Sequence, residues 1–259
     1  MPSPPSRGDE KGSACVSDFR NPVLPLARPL PARRGGAVNY ALDFAPVIAG
    51  LPSMLSACLG TMGLALGGMA LAMVIGLAGV VARDSKIAPL RWLVMAFVEV
   101  IRNTPFLVQI FFIFFALPLI GIKLAPTPTA IIALGVNGGA YAIEIIRGGV
   151  QAIAKGQVEA GLALGLHKAQ VFRYIVLKPA LRAIYPSLTS QFILLTLTTS
   201  IASAISAYEL TSVAQMIESE SYRSFEVYGV VTLFYFIMSW LMMQMFNAVS
   251  NRYFAYPVK

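Results

Sequence analysis

The sequence predicts an all-α, polytopic membrane protein with five transmembrane helices. Of its 259 residues, 57% are hydrophobic and only 12% are charged, and the mean hydropathy is +0.70. In an ordinary soluble domain about a quarter of the residues are charged, so the composition excludes that class. A helix needs about 20 apolar residues to cross a bilayer, and stretches of this length recur along most of the chain.

The first 38 residues stand apart from these stretches. They are rich in proline, glycine, serine and arginine and contain no sustained apolar run, so they cannot bury enough surface to fold on their own. They also lack the apolar region and cleavage site of a signal peptide. We therefore predict a disordered extension over residues 1–38 and a transmembrane domain over residues 39–259.

The predicted spans cover residues 54–82, 89–117, 127–147, 186–208 and 227–250. Span one carries glycines that permit close helix contacts, namely Gly60, Gly63, Gly67, Gly68, Gly76 and Gly79. Span two is interrupted by Arg102, Asn103, Thr104 and Pro105. Span four is rich in serine and threonine, which predicts a helix that lines a pore, although such hydroxyls also often bond to their own backbone.

The distribution of lysine and arginine predicts the orientation. Segments 83–91, 147–182 and 251–259 would share one side of the membrane and hold three, six and two basic residues, whereas loops 118–126 and 208–226 hold one each. Because basic residues are enriched in cytoplasmic loops, the first group is expected to be cytoplasmic. The N-terminus would then lie outside and the C-terminus in the cytoplasm.

The segment between spans three and four, residues 156–179, favours helix but is too polar for lipid. Its polar and charged side chains are Gln157, Glu159, His167, Lys168, Gln170, Arg173 and Lys178. We therefore expect it to lie at the cytoplasmic membrane surface. An ordinary amphipathic interfacial helix is the simplest alternative.

Within that segment, Glu159-Ala160-Gly161, then Gly165, then Ile175-Val176-Leu177 have the spacing of the EAA motif, E-A-A-x3-G-x9-I-x-L-P. The chain therefore resembles the permease subunit of a type I ATP-binding-cassette (ABC) importer. The resemblance implies a coupling loop, residues 150–182, in which two short helices dock into an ATPase subunit. Small residues at 160 and 161 would allow close approach, and Gly165 would permit a sharp turn.

Other motifs resemble the polar-amino-acid uptake branch of these permeases. They are Val98 to Gln109 (VEVIRNTPFLVQ), Ala140-Tyr141 with Glu144 and Arg147-Gly148-Gly149, Gly156-Gln157 with Glu159-Ala160, Thr199-Ser200-Ile201 and Glu209-Leu210-Thr211. The likeness runs from about residue 40 to the end, and the opening of the family suggests Val38 as the natural start. The predicted coupling residues are Gln157, Glu159, Ala160, Gly161 and Gly165.

The chain departs from the pattern of this branch in three respects. Asn103 replaces a glycine, Leu197 and Thr198 replace a lysine and an acidic or amide residue, and the proline that ends the EAA motif is displaced to Pro179. The end of the coupling loop and the substrate are therefore expected to differ from those of well-known relatives.

Polar residues near the middle of span two, with two from span four, are the predicted substrate path: Glu99, Arg102, Asn103, Thr104, Thr199 and Ser200. Glu99 and Arg102 are three residues apart on one helix face, near enough to pair. An ionisable group at that depth is costly unless it is partnered or hydrated. The pair therefore indicates a water-filled path, or else a salt bridge that only fixes the helix. Glu144 and Arg147 repeat the spacing and are expected to tether span three to the coupling loop.

No catalytic or metal site is predicted. The chain lacks the G-x4-G-K-[ST] phosphate loop, so ATP would be bound and hydrolysed by a separate ATPase. The only histidine is His167, and Cys15 and Cys58 have no metal-ligand spacing. The net charge of +8 is explained by cytoplasmic anchors, and we expect no nucleic-acid partner.

The expected partners are two ABC ATPase subunits, a second permease subunit, an external substrate-binding protein, an amino acid substrate and membrane lipid. Five spans enclose little space, so two permease subunits are expected to form the pathway between them. The two subunits would be identical or related. A channel or secondary transporter is the alternative, although neither a pore loop nor an internal repeat is visible. A membrane scaffold that does not transport is a further alternative.

Overall fold

Nine α-helices make up the part of the chain that the computed structural model describes, residues 40–253. The chain divides into two units, Met1–Ala41 and Leu42–Lys259, and all nine helices belong to the second. The predicted extension over residues 1–38 and the predicted start at Val38 lie outside the described residues.

The helices follow one another with short connections. They are α1 (Ala45–Arg83), α2 (Ala88–Arg102), α3 (Phe106–Ala116), α4 (Pro126–Gln151), α5 (Lys155–Ala163), α6 (Lys168–Val171), α7 (Leu177–Thr198), α8 (Leu210–Ser221) and α9 (Ser224–Tyr253). A π-helical turn, Phe172–Val176, joins α6 to α7, and 3₁₀ segments follow α3 (Leu117–Ile120) and α7 (Thr199–Ile205).

Four helical segments within residues 40–253 are long and apolar enough to cross a membrane, and a bent pair would make a fifth. The four are Ala45–Arg83, Pro126–Gln151, Lys168–Ile205 and Ser224–Tyr253, and the bent pair is Ala88–Arg102 with Phe106–Ile120. The helix that contains span four begins before the predicted residue 186, because it continues through Pro186. Ala180 and Ile184 are buried against Ile146 of α4, which packs this earlier half of the helix into the protein.

The seam between α1 and α4 is built from glycines on both helices. A Cβ added at Gly68 or Gly76 would lie 2.8 Å from the Cβ of Leu134 or 2.7 Å from that of Ala142, respectively. On α4, Gly138 would come within 2.9 Å of Ala72. Lipid gives helices no hydrophobic reason to associate, so close van der Waals contact between small residues must hold them. The predicted role of the span-one glycines is confirmed at Gly68 and Gly76.

Two clusters of buried side chains organise the bundle. In the first, Leu64 of α1, Ile110 of α3 and Leu134 of α4 pack with Leu195 and Ile205 from α7 and its 3₁₀ extension. The second joins the first half of α1 to α8 and α9, through residues Val47, Met54, Leu210, Val213, Val227 and Val231. α3, the second helix of the bent pair, and the end of span four therefore share one core.

A buried carboxylate holds the beginning of α8. Glu209 accepts hydrogen bonds from the backbone N–H groups of Thr211 (2.8 Å) and Ser212 (2.6 Å) and from the hydroxyl of Tyr235 in α9 (2.8 Å). Burial raises the pKa of this carboxyl, and the donors oppose that rise. Thr61 Oγ1 of α1 accepts a hydrogen bond from the backbone N–H of Leu210 at 3.1 Å. The sequence analysis did not predict α8, although Glu209 and Ser212 form a reciprocal N-terminal cap of the capping-box type.

The glycine seam gives a matched pair of substitutions. In Gly76→Ala the new methyl group would overlap Ala142, so α1 and α4 must separate, and we expect a loss of about 1–3 kcal/mol in unfolding free energy. Gly63→Ala meets no atom within 4 Å and should be neutral or stabilising by up to about 1 kcal/mol through helix propensity. Thermal unfolding of both variants in one detergent measures the difference. Equal melting temperatures would contradict the role of the seam.

Candidate functional site

A sharp bend in the second span brings several polar side chains together. α2 ends at Arg102 and α3 begins at Phe106, and the two helices meet at 112°. We call residues 103–105 between them the α2–α3 break. Pro105 has no backbone N–H and disfavours helical geometry at the residue before it. The sequence analysis predicted an interruption here but not its angle.

Side chains satisfy the backbone carbonyls that the break leaves free. Asn103 Nδ2 donates to the Glu99 carbonyl (2.8 Å), and Thr104 Oγ1 donates to the Val100 carbonyl (2.9 Å). The Glu99 carbonyl also accepts the backbone N–H of Asn103 at 3.2 Å, so the Asn103 side chain adds a second donor there. Gln109 Nε2 donates to the Ile101 carbonyl (2.8 Å). This third donor was missed, although a glutamine within the apolar run of α3 was a visible signal.

Glu99 and Arg102 do not form the predicted ion pair. The Glu99 carboxylate instead accepts a hydrogen bond from Asn103 Nδ2 at 3.0 Å. The Arg102 guanidinium lies over the ring of Tyr141 in α4, 5.5 Å from its centroid, which is within the range of cation–π attraction. Arg102 is the last residue of α2, so its side chain reaches the neighbouring helix more readily than the preceding turn. Both charged side chains are exposed on the surface of this chain.

The two predicted path residues of span four are less accessible. Thr199 is fully buried and its hydroxyl donates to the Thr196 carbonyl (2.7 Å), whereas half-buried Ser200 donates to the Leu197 carbonyl (2.8 Å). The neighbouring Thr196 is also fully buried. The hydroxyls of Thr199 and Ser200 therefore bond to their own backbone. The prediction that the serines and threonines of span four line a pore was wrong for Thr196 and Thr199, because both are fully buried.

An acidic residue joins α1 to α4 near their C-terminal ends. The Glu144 carboxylate accepts hydrogen bonds from Arg147, 2.7 Å away, and from Arg83 at the end of α1. Arg147 also donates to Gln151 (3.0 Å). The predicted Glu144–Arg147 contact is confirmed. Because Gln151 lies in the predicted coupling loop, residues 150–182, the expected tether to that loop is made by Arg147, and Glu144 in addition joins α4 to Arg83 of α1.

The coupling loop contains a short helix closed by a left-handed glycine. α5 ends at Ala163, and Gly165 has φ +81°. The N–H of Gly165 bonds to the Leu162 carbonyl, and the N–H of Leu166 bonds to the Gly161 carbonyl. This is the Schellman arrangement of a helix C-terminus. The predicted left-handed turn at Gly165 is confirmed.

The outer face of α5 differs from the predicted one. Gly161 is buried, and a Cβ there would lie 2.3 Å from Ile175 Cδ1, so this glycine packs α5 against the π-helical turn. The prediction that Gly161 faces a partner was wrong. Its lack of a side chain instead allows α5 to pack closely against Ile175 within the coupling loop. Gln157, Glu159 and Ala160 are exposed as predicted. Leu164, which was not predicted, is 82% exposed beside them.

Comparisons with known proteins agree with this geometry. Residues 68–255 match the family described as binding-protein-dependent transport system inner membrane component. The chain is 34% identical over 212 residues to the glutamine transport system permease protein GlnP of Escherichia coli (strain K12), covering 81% of this chain and 97% of that protein. It is 39% identical over 189 residues to the L-cystine transport system permease protein TcyB of Bacillus subtilis (strain 168), covering 72% and 80%.

A solved structure supports the fold. A crystal structure of an amino acid ABC transporter with histidines superposes with a TM-score of 0.77 at 31% identity, and the match covers 82% of this chain and 100% of that one. Within residues 40–253, no cluster of three histidine, cysteine or acidic residues is placed to hold a metal ion.

Replacing Glu144 with Gln should weaken the contact between α1 and α4. The change leaves Arg83 and Arg147 close together without a carboxylate, and we expect a loss of about 1–3 kcal/mol in unfolding free energy. Glu220→Gln, which removes an exposed acidic charge, is the control. Thermal unfolding in detergent at low and high salt measures both, and the Glu144 effect should shrink as salt rises. An unchanged melting temperature for Glu144→Gln would show that the ion pairs do not stabilise the seam.

Proposed function

This chain belongs to the binding-protein-dependent transport system inner membrane component family, and from that membership we propose that it carries a polar amino acid, or a close analogue, through the inner membrane. It is a permease subunit of an ABC importer, and ATP is hydrolysed by a separate subunit. The relatives named above are permeases for glutamine and L-cystine. Both are polar amino acids, which supports the proposed substrate class.

The exposed charges at the α2–α3 break are the observation on which the proposal rests. An amino acid carries an ammonium group and a carboxylate, and the break offers Glu99 for the first and Arg102 for the second. A guanidinium can bind a carboxylate through two parallel hydrogen bonds. The two side chains are not paired with each other, so neither must give up an ion pair to bind a solute. Asn103, Thr104 and, from span four, Ser200 complete the proposed path.

The bundle supports a dimer of permease subunits around this path. Glu99 and Arg102 are exposed on the surface of one bundle, and two separate charges facing lipid would be costly. A second permease subunit, identical or related, would cover this surface and enclose the path. An external binding protein would deliver the solute. The N-terminus would lie outside and the C-terminus in the cytoplasm, as the basic residues indicate.

The coupling loop supports the second half of the proposal. Glu159, Ala160 and Leu164 form an exposed face on α5, with an apolar centre and an acidic edge that suit a cleft on an ATPase. Gly161 joins α5 to the π-helical turn that leads into α7. Closure of the two ATPase subunits would therefore move α5 and α7 together and turn the path outward.

Replacing Arg102 with Met tests the path. The methionine removes the guanidinium but keeps a long side chain over Tyr141, and we expect uptake to fall at least about tenfold, the effect of losing one charged hydrogen bond. Uptake of labelled polar amino acids is measured in vesicles that hold the permease, its ATPase and its binding protein. The ATPase should remain bound. Arg91→Met, an exposed arginine on the same helix, is the control.

Normal uptake by the Arg102→Met variant would exclude Arg102 from the path. Loss of the ATPase from this variant would indicate that Arg102 only stabilises the fold. A wild-type complex that takes up no amino acid, in the presence of ATP and binding protein, would reject the proposed substrate class itself.

Replacing Gly165 with Val tests the coupling loop. A β-branched residue at φ +81° is strained by at least about 1 kcal/mol, and it would redirect the chain that follows α5. We expect a permease that inserts in the membrane but loses its ATPase, or one whose ATP hydrolysis continues without uptake. Glu159→Lys, which reverses the charge at the edge of the proposed docking face, should have the same effect. Gly156→Ala, where a Cβ meets open space, is the control.

Co-purification of the ATPase, ATP hydrolysis and uptake are measured on the same preparations. Wild-type values of all three in both Gly165→Val and Glu159→Lys would show that α5 is not the docking element.

A further inference from the structure

One face of α4 contacts both sides of the α2–α3 break. Asn137 and Tyr141 are four residues apart and therefore lie on the same face of the helix. Asn137 Nδ2 donates to Gln109 Oε1 in α3 at 2.9 Å. The ring of Tyr141 lies under the guanidinium of Arg102, at the end of α2. The two helices that meet at the break are thus both attached to one helix, a turn apart.

The side-chain amide of Gln109 in α3 connects the two sides of the break. It is 8% exposed, and its Nε2 lies 2.8 Å from the Ile101 carbonyl, 3.0 Å from the Thr104 carbonyl and 2.8 Å from Thr104 Oγ1. Three oxygens around one amide nitrogen fix the orientation of the amide, because the opposite orientation would place Oε1 against the two carbonyls. The amide oxygen is then directed at α4, where Asn137 donates to it.

We propose that Gln109 and Asn137 are positioning residues for import. The pair holds the angle between α2 and α3, and that angle presents Arg102, Asn103 and Thr104 to the solute. This inference rests on the proposed function, because it takes the break to be the substrate path. Neither residue was among the path or coupling residues predicted from the sequence.

The position of Asn137 along α4 extends this role to coupling. Gln151, the last residue of α4, lies 14 residues after Asn137, or about 21 Å along the helix axis. α5 begins four residues beyond, at Lys155. A helix transmits displacement along its length as a rigid element. Movement of α5 therefore reaches Asn137 and Tyr141 and changes the angle at the break.

Two variants and a control test the pair. Gln109→Met and Asn137→Leu each replace an amide by an apolar side chain of similar size. Thr129→Val is the control, because Thr129 is a buried residue of α4 whose hydroxyl donates to the Ala125 carbonyl of the turn that precedes it. The complete complex, with ATPase and binding protein, is reconstituted in vesicles for uptake and ATP hydrolysis. We expect uptake to fall at least about tenfold in both amide variants, with the ATPase still bound, and to remain at the wild-type rate in Thr129→Val.

A labelling measurement makes the test independent of transport. Asn103→Cys is introduced in a background with Cys15→Ser and Cys58→Ala, and its reaction with a membrane-impermeant thiol reagent is timed. If the pair holds the break open to water, adding Asn137→Leu or Gln109→Met should slow labelling at least about fivefold, and adding Thr129→Val should not change it.

Wild-type uptake and labelling in both amide variants would overturn the inference. So would loss of the protein from the membrane, or loss of the ATPase, in both, because the pair would then serve the fold alone. If the wild-type complex transports no amino acid but labelling at residue 103 still depends on the pair, the proposed function fails and the geometric role of Gln109 and Asn137 stands.

Discussion

The absence of water inside a bilayer is the constraint on which the rest of this structure depends. A helix that bends by 112° in mid-span frees backbone carbonyls, and lipid offers no donor for them, so each must find a partner in the protein. Thr104 and Gln109 supply those donors, and Asn103 adds a second donor to the Glu99 carbonyl. The break is therefore possible only with these polar side chains, and the same side chains make the break the most polar point of the span. The side chains that make the bend possible thus also create the polar site to which the candidate function is assigned.

The glycine seam explains why α4 can act on the break as a rigid element. α1 and α4 approach so closely that a methyl group at Gly76 would overlap Ala142, and the ion pair between Glu144 and Arg83 joins the same helices near one end. Close packing without voids resists small relative movements. The two helices therefore behave as one unit. Gln109 and Arg102 both contact α4. Their positions are therefore set by the α1–α4 unit rather than by a single helix.

The sequence predicted the spans, the position of the break and the left-handed turn at Gly165, because each depends on a local property. The length of an apolar stretch, the position of a proline and the conformational freedom of a glycine can each be recognised from a short stretch of sequence. The Glu99–Arg102 pair and the outward direction of Gly161 were wrong because they depend on neighbours distant in sequence. Tyr141 provides a competing partner for Arg102 from another helix, and Ile175 occupies the space beside Gly161. The angle of the break was not predictable for the same reason, since Asn137 contributes to it from α4.

The packing of Gly161 changes what a coupling helix can do. A glycine on the docking face would only bring the ATPase closer, whereas a buried glycine fixes α5 to the turn that leads into α7. α5 is also joined to α4 by a connection of three residues, 152–154. Force applied to the exposed face at Glu159, Ala160 and Leu164 thus enters α4 and α7 at once. These two helices pack on the core cluster that also holds α3 and the 3₁₀ end of span four, so both sides of the proposed path would respond to one displacement.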